Sequence, residues 1–131
     1  MRPIKYVFLI GIVTLITSCT STATFPLSKL VPAADITAKI KKQGKQNYLV
    51  TITANNLAAS ERLNPPKEIY IIWAVSDASV TRNVGYFIQQ NAIKSIYHAS
   101  FPYKPIEIFI TAENEEDLCE PMGIEISRIK L

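Results

Sequence analysis

The chain is poor in the residues from which chemistry is usually built. It has two cysteines, one histidine and four glycines in 131 residues. Two cysteines do not make the disulfide framework that staples a small secreted domain. A single histidine and one spare thiol offer no paired metal-ligand spacing, so no metal ligand is assigned. Gly44, Gly85 and Gly123 stand singly, as turn or bulge residues do, and no glycine-rich phosphate loop is present. The G-x-S-x-G and H-E-x-x-H patterns are also missing. Paired carboxylates for acid–base work need a cleft that short strands rarely supply. No catalytic residue and no cofactor are therefore expected, and the chain reads as non-enzymatic. No apolar run reaches the roughly 20 residues needed to span a bilayer, and 3.6-residue periodicity is missing after the first residues.

What is present begins at the N-terminus. Arg2 and Lys5 precede the largely apolar run Tyr6 to Ile16, and Ile16-Thr17-Ser18-Cys19 follows. A charged start, a short apolar centre and a small-residue exit form a secretory signal. The aliphatic residue three positions before a cysteine resembles the lipobox of bacterial lipoproteins. That resemblance implies lipidation of Cys19, cleavage after Ser18 and acylation of the new amine. Two or more acyl chains anchor stably, whereas one binds marginally. Thr20 in place of Asp implies the outer membrane of the cell envelope rather than the inner membrane. The expected division is a lipoprotein signal peptide at 1–18, a lipidated cysteine with a flexible linker at 19–32, and a folded domain at 33–131. The linker reading rests on the small polar residues and on Pro26 and Pro32. Residues 20–32 could reach about 43 Å at roughly 3.3 Å per residue.

The apparent basicity belongs largely to the signal. The net charge is +3, from 14 basic and 11 acidic side chains, and without Arg2 and Lys5 it falls to 12 against 11. This balance gives no argument for a nucleic-acid partner, which would require a dense basic face.

The remaining chain carries a strand signal almost throughout. Ile36, Ala38 and Ile40 alternate with polar residues, a polar turn around Gly44 follows, and Tyr48, Val50, Ile52 and Ala54 alternate again. Two such runs around a turn predict a hairpin. Glu68 to Asp77 is nearly all apolar, as a central strand is. Arg82–Gln89, Lys94–Ser100, Ile106–Thr111 and the stretch from Ile124 complete about seven strands. A slip near Arg128 predicts a β-bulge. Residues 55–63 allow a turn or two of helix. The pattern predicts an immunoglobulin-like antiparallel β-sandwich, with a barrel as the alternative. The expected inner stripes are Ile36/Ala38/Ile40, Val50/Ile52, Ile69/Ile71/Trp73, Ile108/Ile110 and Ile124/Ile126, with Trp73 at the centre of the core.

Several clusters qualify as candidate sites. Glu113, Glu115, Glu116, Asp117 and Glu120 read as a solvated turn, since their spacing matches no EF-hand. Lys39, Lys41, Lys42 and Lys45 at the tip of the first hairpin could meet anionic glycan or phospholipid, and read first as a lysine-guarded edge. Sandwich topology places these clusters at opposite ends, with the chain entering beside the acidic loop. Cys119 is expected to be a half-buried or inert thiol. Tyr97, Phe101 and Tyr103, with His98 among them, are the candidate ligand-contact residues, because aromatic faces stack on sugar rings.

From Leu63 onward the chain resembles the extracytoplasmic β domain of anti-sigma-K-type factors. The resemblance rests on Pro65-Pro66, Tyr70-Ile71-Ile72-Trp73, Asn83-Val84-Gly85, Ile110-Thr111-Ala112-Glu113 and Pro121-Met122-Gly123. Val84 replaces a usual Leu, and Met122 interrupts a Pro-Gly turn. The resemblance implies a shared sandwich and no signalling role, because the chain has no sigma-binding region. The expected function is a lipid-anchored interaction module whose partners are the membrane and an envelope protein. The alternatives are a glycan-binding module and an envelope sensor working with a separate transmembrane regulator.

Overall fold

A computed structural model describes residues 19–131; the expected signal peptide lies outside the described residues. Among the described residues there are nine strands: β1 (Thr20–Thr24), β2 (Asp35–Gln43), β3 (Asn47–Asn55), β4 (Ile69–Val75), β5 (Thr81–Tyr86), β6 (Ile88–Gln89), β7 (Lys94–Phe101), β8 (Glu107–Glu113) and β9 (Ile124–Lys130). One turn of 3-10 helix, Ser60–Arg62, is the helical content of the Asn55–Leu63 stretch.

The strands form two antiparallel sheets, β1-β2-β3-β7-β6 and β5-β4-β8-β9. Reading β2, β3, β4, β6, β7, β8 and β9 as strands A to G gives A-B-E-D facing C-F-G. This is the constant-type immunoglobulin order, with β1 and β5 as extra edge strands. The predicted Arg82–Gln89 strand divides between the sheets. β5 pairs with β4 and β6 pairs with β7, so the chain crosses over at Phe87. Gly85 permits the bend, because its φ of +132° is closed to side-chain-bearing residues, and the register shifts beside it.

The first hairpin closes as predicted, with Ile40 opposite Val50 and Ala38 opposite Ile52. The bulge falls at Ile126–Ser127, immediately before Arg128: Ile110 pairs with Ser127, but Thr111 pairs with Glu125. The extra residue turns Ile126 and Ile129 inward together.

The main core lies between the sheets. It joins Ile36, Ala38, Ile40, Val50, Ile52 and Tyr97 from one sheet to Tyr70, Ile72, Ala74, Ile108, Ile110 and Ile126 from the other. Here the expected phase of β4 is corrected. Tyr70, Ile72 and Ala74 face inward, whereas Ile71, Trp73 and Val75 lie on the outer face of the four-stranded sheet with Phe109. Trp73 is completely buried, but in this second, outer cluster and not at the centre of the sandwich. Ile69 and Leu118 pack against that cluster. A period of two cannot assign faces when both faces of a strand are apolar, and Glu68–Asp77 gives no phase.

A second correction concerns the expected linker. Residues 20–24 are strand β1, which pairs with β2 from Thr20↔Lys41 to Thr24↔Thr37. Phe25, Val31 and Ala34 then enter the core. Unpaired backbone N–H and C=O groups along β2 favour capture of a neighbouring strand. A threonine-rich segment with its apolar residue at Phe25 is well suited to that place. Among the described residues, strand pairing therefore starts directly after the cysteine, and no slack chain separates Cys19 from the sandwich.

Candidate functional site

The short connections sort the molecule into two ends. The β2–β3 turn, the β4–β5 turn and the 102–106 connection share one end, because Ser76, Ala78 and Val80 line the same hollow as Phe101, Pro102 and Tyr103. The Phe25–Ala34 segment, the 56–68 connection, the β6–β7 turn and the acidic loop lie at the other end. The lysine turn and the acidic loop are thus at opposite ends, as topology predicts.

Cys19 does not enter where the topology argument puts it. Its carbonyl accepts a hydrogen bond from the Lys42 N–H at 3.1 Å, and its neighbour Thr20 sits opposite Lys41. The cysteine is exposed and stands at the lysine end. Cys19, Thr20, Ser21, Ile40, Lys42, Tyr48 and Lys104 line one surface hollow of about 340 Å³. The reversal follows from β1, since one more antiparallel strand returns the entry point to the opposite end. For the same reason Lys39, Lys41, Lys42 and Lys45 do not guard an edge: β2 is an interior strand covered by β1.

Cys119 is exposed on the loop at the other end, far along the strand axis from Cys19. Of the two expectations, a half-buried or an inert thiol, exposure removes the first. His98 is exposed on β7, where its Nδ1 lies 2.7 Å from Thr51 Oγ1 on the neighbouring strand. Cys119 and His98 belong to different sheets and do not meet.

The three candidate ligand-contact residues do not form an exposed row. Tyr97 and Phe101 are only 5% and 4% exposed and belong to the main core. The Tyr97 hydroxyl donates to the Val84 carbonyl at 2.7 Å, and burial pushes its pKa upward. Tyr103 is half-buried and stacks on Phe101 at 5.7 Å between ring centroids. Phe101 and Tyr103 do line an open hollow of about 640 Å³, together with Val80, Arg82, Asn83 and Val84. Burial raises the Tyr103 pKa, and the nearby Arg82 charge partly opposes that rise. A flat stacking platform for a sugar ring needs exposed faces, and Tyr97 and Phe101 spend theirs on the core. Their positions on β7 decide this, since Tyr97 and Phe101 are four apart on the inward face of the strand, the face that Val50 and Ile52 share on neighbouring β3.

The acidic segment is more than a solvated turn. Glu115, Glu116, Asp117 and Glu120 are exposed as expected, but Glu113 is 1% exposed. Its carboxylate accepts the Met122 N–H at 3.2 Å and the Gly123 N–H at 3.0 Å. Thr111 Oγ1 donates to it at 3.1 Å and in turn accepts the indole N–H of Trp73 at 2.7 Å. The Asn83 amide donates to the Glu116 and Leu118 carbonyls at 2.8 and 3.1 Å. These bonds fold the 114–123 loop back over the outer face of the four-stranded sheet and cover Trp73. Arg128 shields the same face, stacking 4.0 Å above Phe109 while it pairs with Glu107 and Glu125. Sequence reasoning missed this arrangement. Its one legible trace was an acidic residue at the end of a β-rich run.

The fold and these surfaces define an antiparallel β-sandwich protein of immunoglobulin-like strand order. No protein-family profile, curated protein or solved structure matches the chain.

Proposed function

We propose that this chain is a non-enzymatic, lipid-anchored protein of the cell envelope whose sandwich is a protein-interaction module. The observation that carries the reading is the place of Cys19. The lipobox-like sequence ends on a residue that is exposed, directly precedes β1 and is hydrogen-bonded to Lys42 of β2. Acyl groups on its sulfur and amine would hold the domain at the membrane by one end. The opposite end then faces away from the bilayer. It carries the exposed apolar side chains Leu27, Leu30, Ile93 and Met122 on its loops and Ile88 on the short strand β6. Large exposed apolar groups on loops held by a rigid scaffold suit recognition of another protein. The resemblance to anti-sigma-K-type extracytoplasmic domains supports a shared sandwich reused outside the cytoplasm, and the outer membrane is the proposed address.

The glycan reading has less support, because Tyr97 and Phe101 are withdrawn into the core. Two measurements test the preferred reading. Metabolic labelling with an alkyne fatty acid marks the wild-type protein and not the Cys19→Ser variant, which also leaves the membrane fraction. Photo-crosslinkers at Leu27, Ile93 and Met122 yield one envelope protein in stoichiometric amount, and Leu27→Asp with Met122→Asp abolishes that product. An unlabelled wild-type protein refutes the anchor. Crosslinks indifferent to those two substitutions refute the interaction face.

A further inference from the structure

We propose that the end of the sandwich carrying Cys19 is a docking face for an anionic phospholipid bilayer, with Lys41, Lys42, Lys45 and Lys104 as its headgroup contacts. The inference rests on the reading of Cys19 as the anchor and adds to it an electrostatic surface.

Charge along the strand axis is divided. The Cys19 end exposes Lys41, Lys42, Lys45, Lys104 and Lys130, against the exposed acid Asp77. Glu107 at that end is already paired with Arg128. The far end exposes Glu61, Glu68, Glu115, Glu116, Asp117 and Glu120, opposed by Lys29, Arg62, Lys67 and Lys94. A net charge close to balance therefore conceals a dipole whose positive end holds the cysteine.

Geometry makes that placement effective. Electrostatic attraction between exposed charges fades over about 8 Å at physiological ionic strength. A domain on a 13-residue leash would spend little time that close to the surface. Here β1 removes the leash: the Cys19 carbonyl is bonded to the Lys42 N–H, and Lys42 and Lys104 line the hollow that contains Cys19. Acyl chains on Cys19 bring these ammonium groups to headgroup level without further loss of chain entropy. Lysine ammonium groups near an anionic bilayer each strengthen binding several-fold. Two or more acyl chains already hold the protein, so the lysines act on how the domain sits against the surface. Acidic proteins and nucleic acids share the negative charge, but only a bilayer is delivered to this face by the cysteine itself.

The test is lysine footprinting of the whole protein purified from its membrane and placed in vesicles containing one-third phosphatidylglycerol. Mass spectrometry reads acetylation at each lysine and, separately, lipid on Cys19. Relative to detergent, labelling at Lys41, Lys42, Lys45 and Lys104 falls at least threefold, while Lys29, Lys67 and Lys94 are unchanged. The protection disappears in phosphatidylcholine vesicles at 0.5 M salt. Equal labelling at both ends, or protection that ignores lipid charge, overturns the docking face even when Cys19 is acylated. If Cys19 proves unmodified, the anchor reading fails by itself. Flotation of that protein with the same vesicles then decides the face: salt-sensitive binding that Lys41, Lys42, Lys45 and Lys104→Gln weaken at least tenfold supports it, and no binding overturns it.

Discussion

Removing the Glu113 carboxylate is the sharpest probe of how the outer face of the sandwich is closed. Glu113→Ala leaves three donors without their acceptor: the Met122 and Gly123 N–H groups and the Thr111 hydroxyl. A buried group that loses its partner costs about 1–3 kcal/mol. Thr111 still accepts from Trp73, and Met122 reaches water at the loop surface, so both fall at the low end of that range. The expected loss is about 3–4 kcal/mol, a large share of the roughly 5–15 kcal/mol that holds a small domain folded. Glu113→Gln keeps one oxygen for Gly123 but turns an amide N–H₂ toward another donor, and about half the loss is expected. The chain's single tryptophan lies beneath this loop. Urea titration followed by Trp73 fluorescence therefore reads both stability and loop closure. In Glu113→Ala the native emission shifts to the red and acrylamide quenches it more strongly. Glu116→Ala, a neighbour that is exposed, moves the midpoint by less than about 0.5 kcal/mol. A Glu113→Ala midpoint within about 1 kcal/mol of wild type, with unchanged quenching, would refute the claim that this carboxylate holds the loop down.

Three further outcomes follow from the same packing. Gly85→Ala would lower stability by about 2 kcal/mol or more in thermal unfolding, because its φ of +132° excludes a side chain and the new Cβ would lie 2.9 Å from the Tyr97 ring. Trp73→Phe keeps an aromatic ring in the outer cluster but removes the donor to Thr111, so a loss of about 1–3 kcal/mol is expected, measured by circular dichroism since the fluorophore is gone. The Tyr70 contribution to stability is fully present below about pH 10, the ordinary tyrosine value, and is lost from there toward pH 12, because burial and the Glu61 charge push its pKa up to about 12, and buried Tyr97 and half-buried Tyr103 add to the same alkaline limb. The unfolded chain loses that phenolic proton first, so alkali favours it. Tyr70→Phe flattens the fall, and an alkaline limb unaltered by that substitution would contradict the assignment.

Much of the architecture is legible before any coordinates. Alternation at Ile36–Ile40 and Tyr48–Ala54 defines a hairpin whose faces need no tertiary information, since one side of each strand is apolar and the other polar. The broken alternation before Arg128 marks the bulge at Ile126–Ser127 because a shift of one residue is the only way to keep Ile129 inside. The candidate site was less readable. The aromatic run 97–103 has the same composition whether its rings stack on a ligand or pack into the core, and only the opposing sheet distinguishes the two.

The sequence alone determines that this is an all-β sandwich, because the period of two and the turn residues are local properties of consecutive positions. It also determines the lipobox-like pattern ahead of Cys19. The tertiary structure decides three things that depend on which surfaces meet. It turns Trp73 outward, since β4 is apolar on both faces and only the opposing sheet selects one. It makes residues 20–24 a strand, since the edge of β2 offers a ladder of backbone groups with which the returning chain pairs. It brings Cys19 to the lysine end, since each added antiparallel strand reverses the side from which the chain enters.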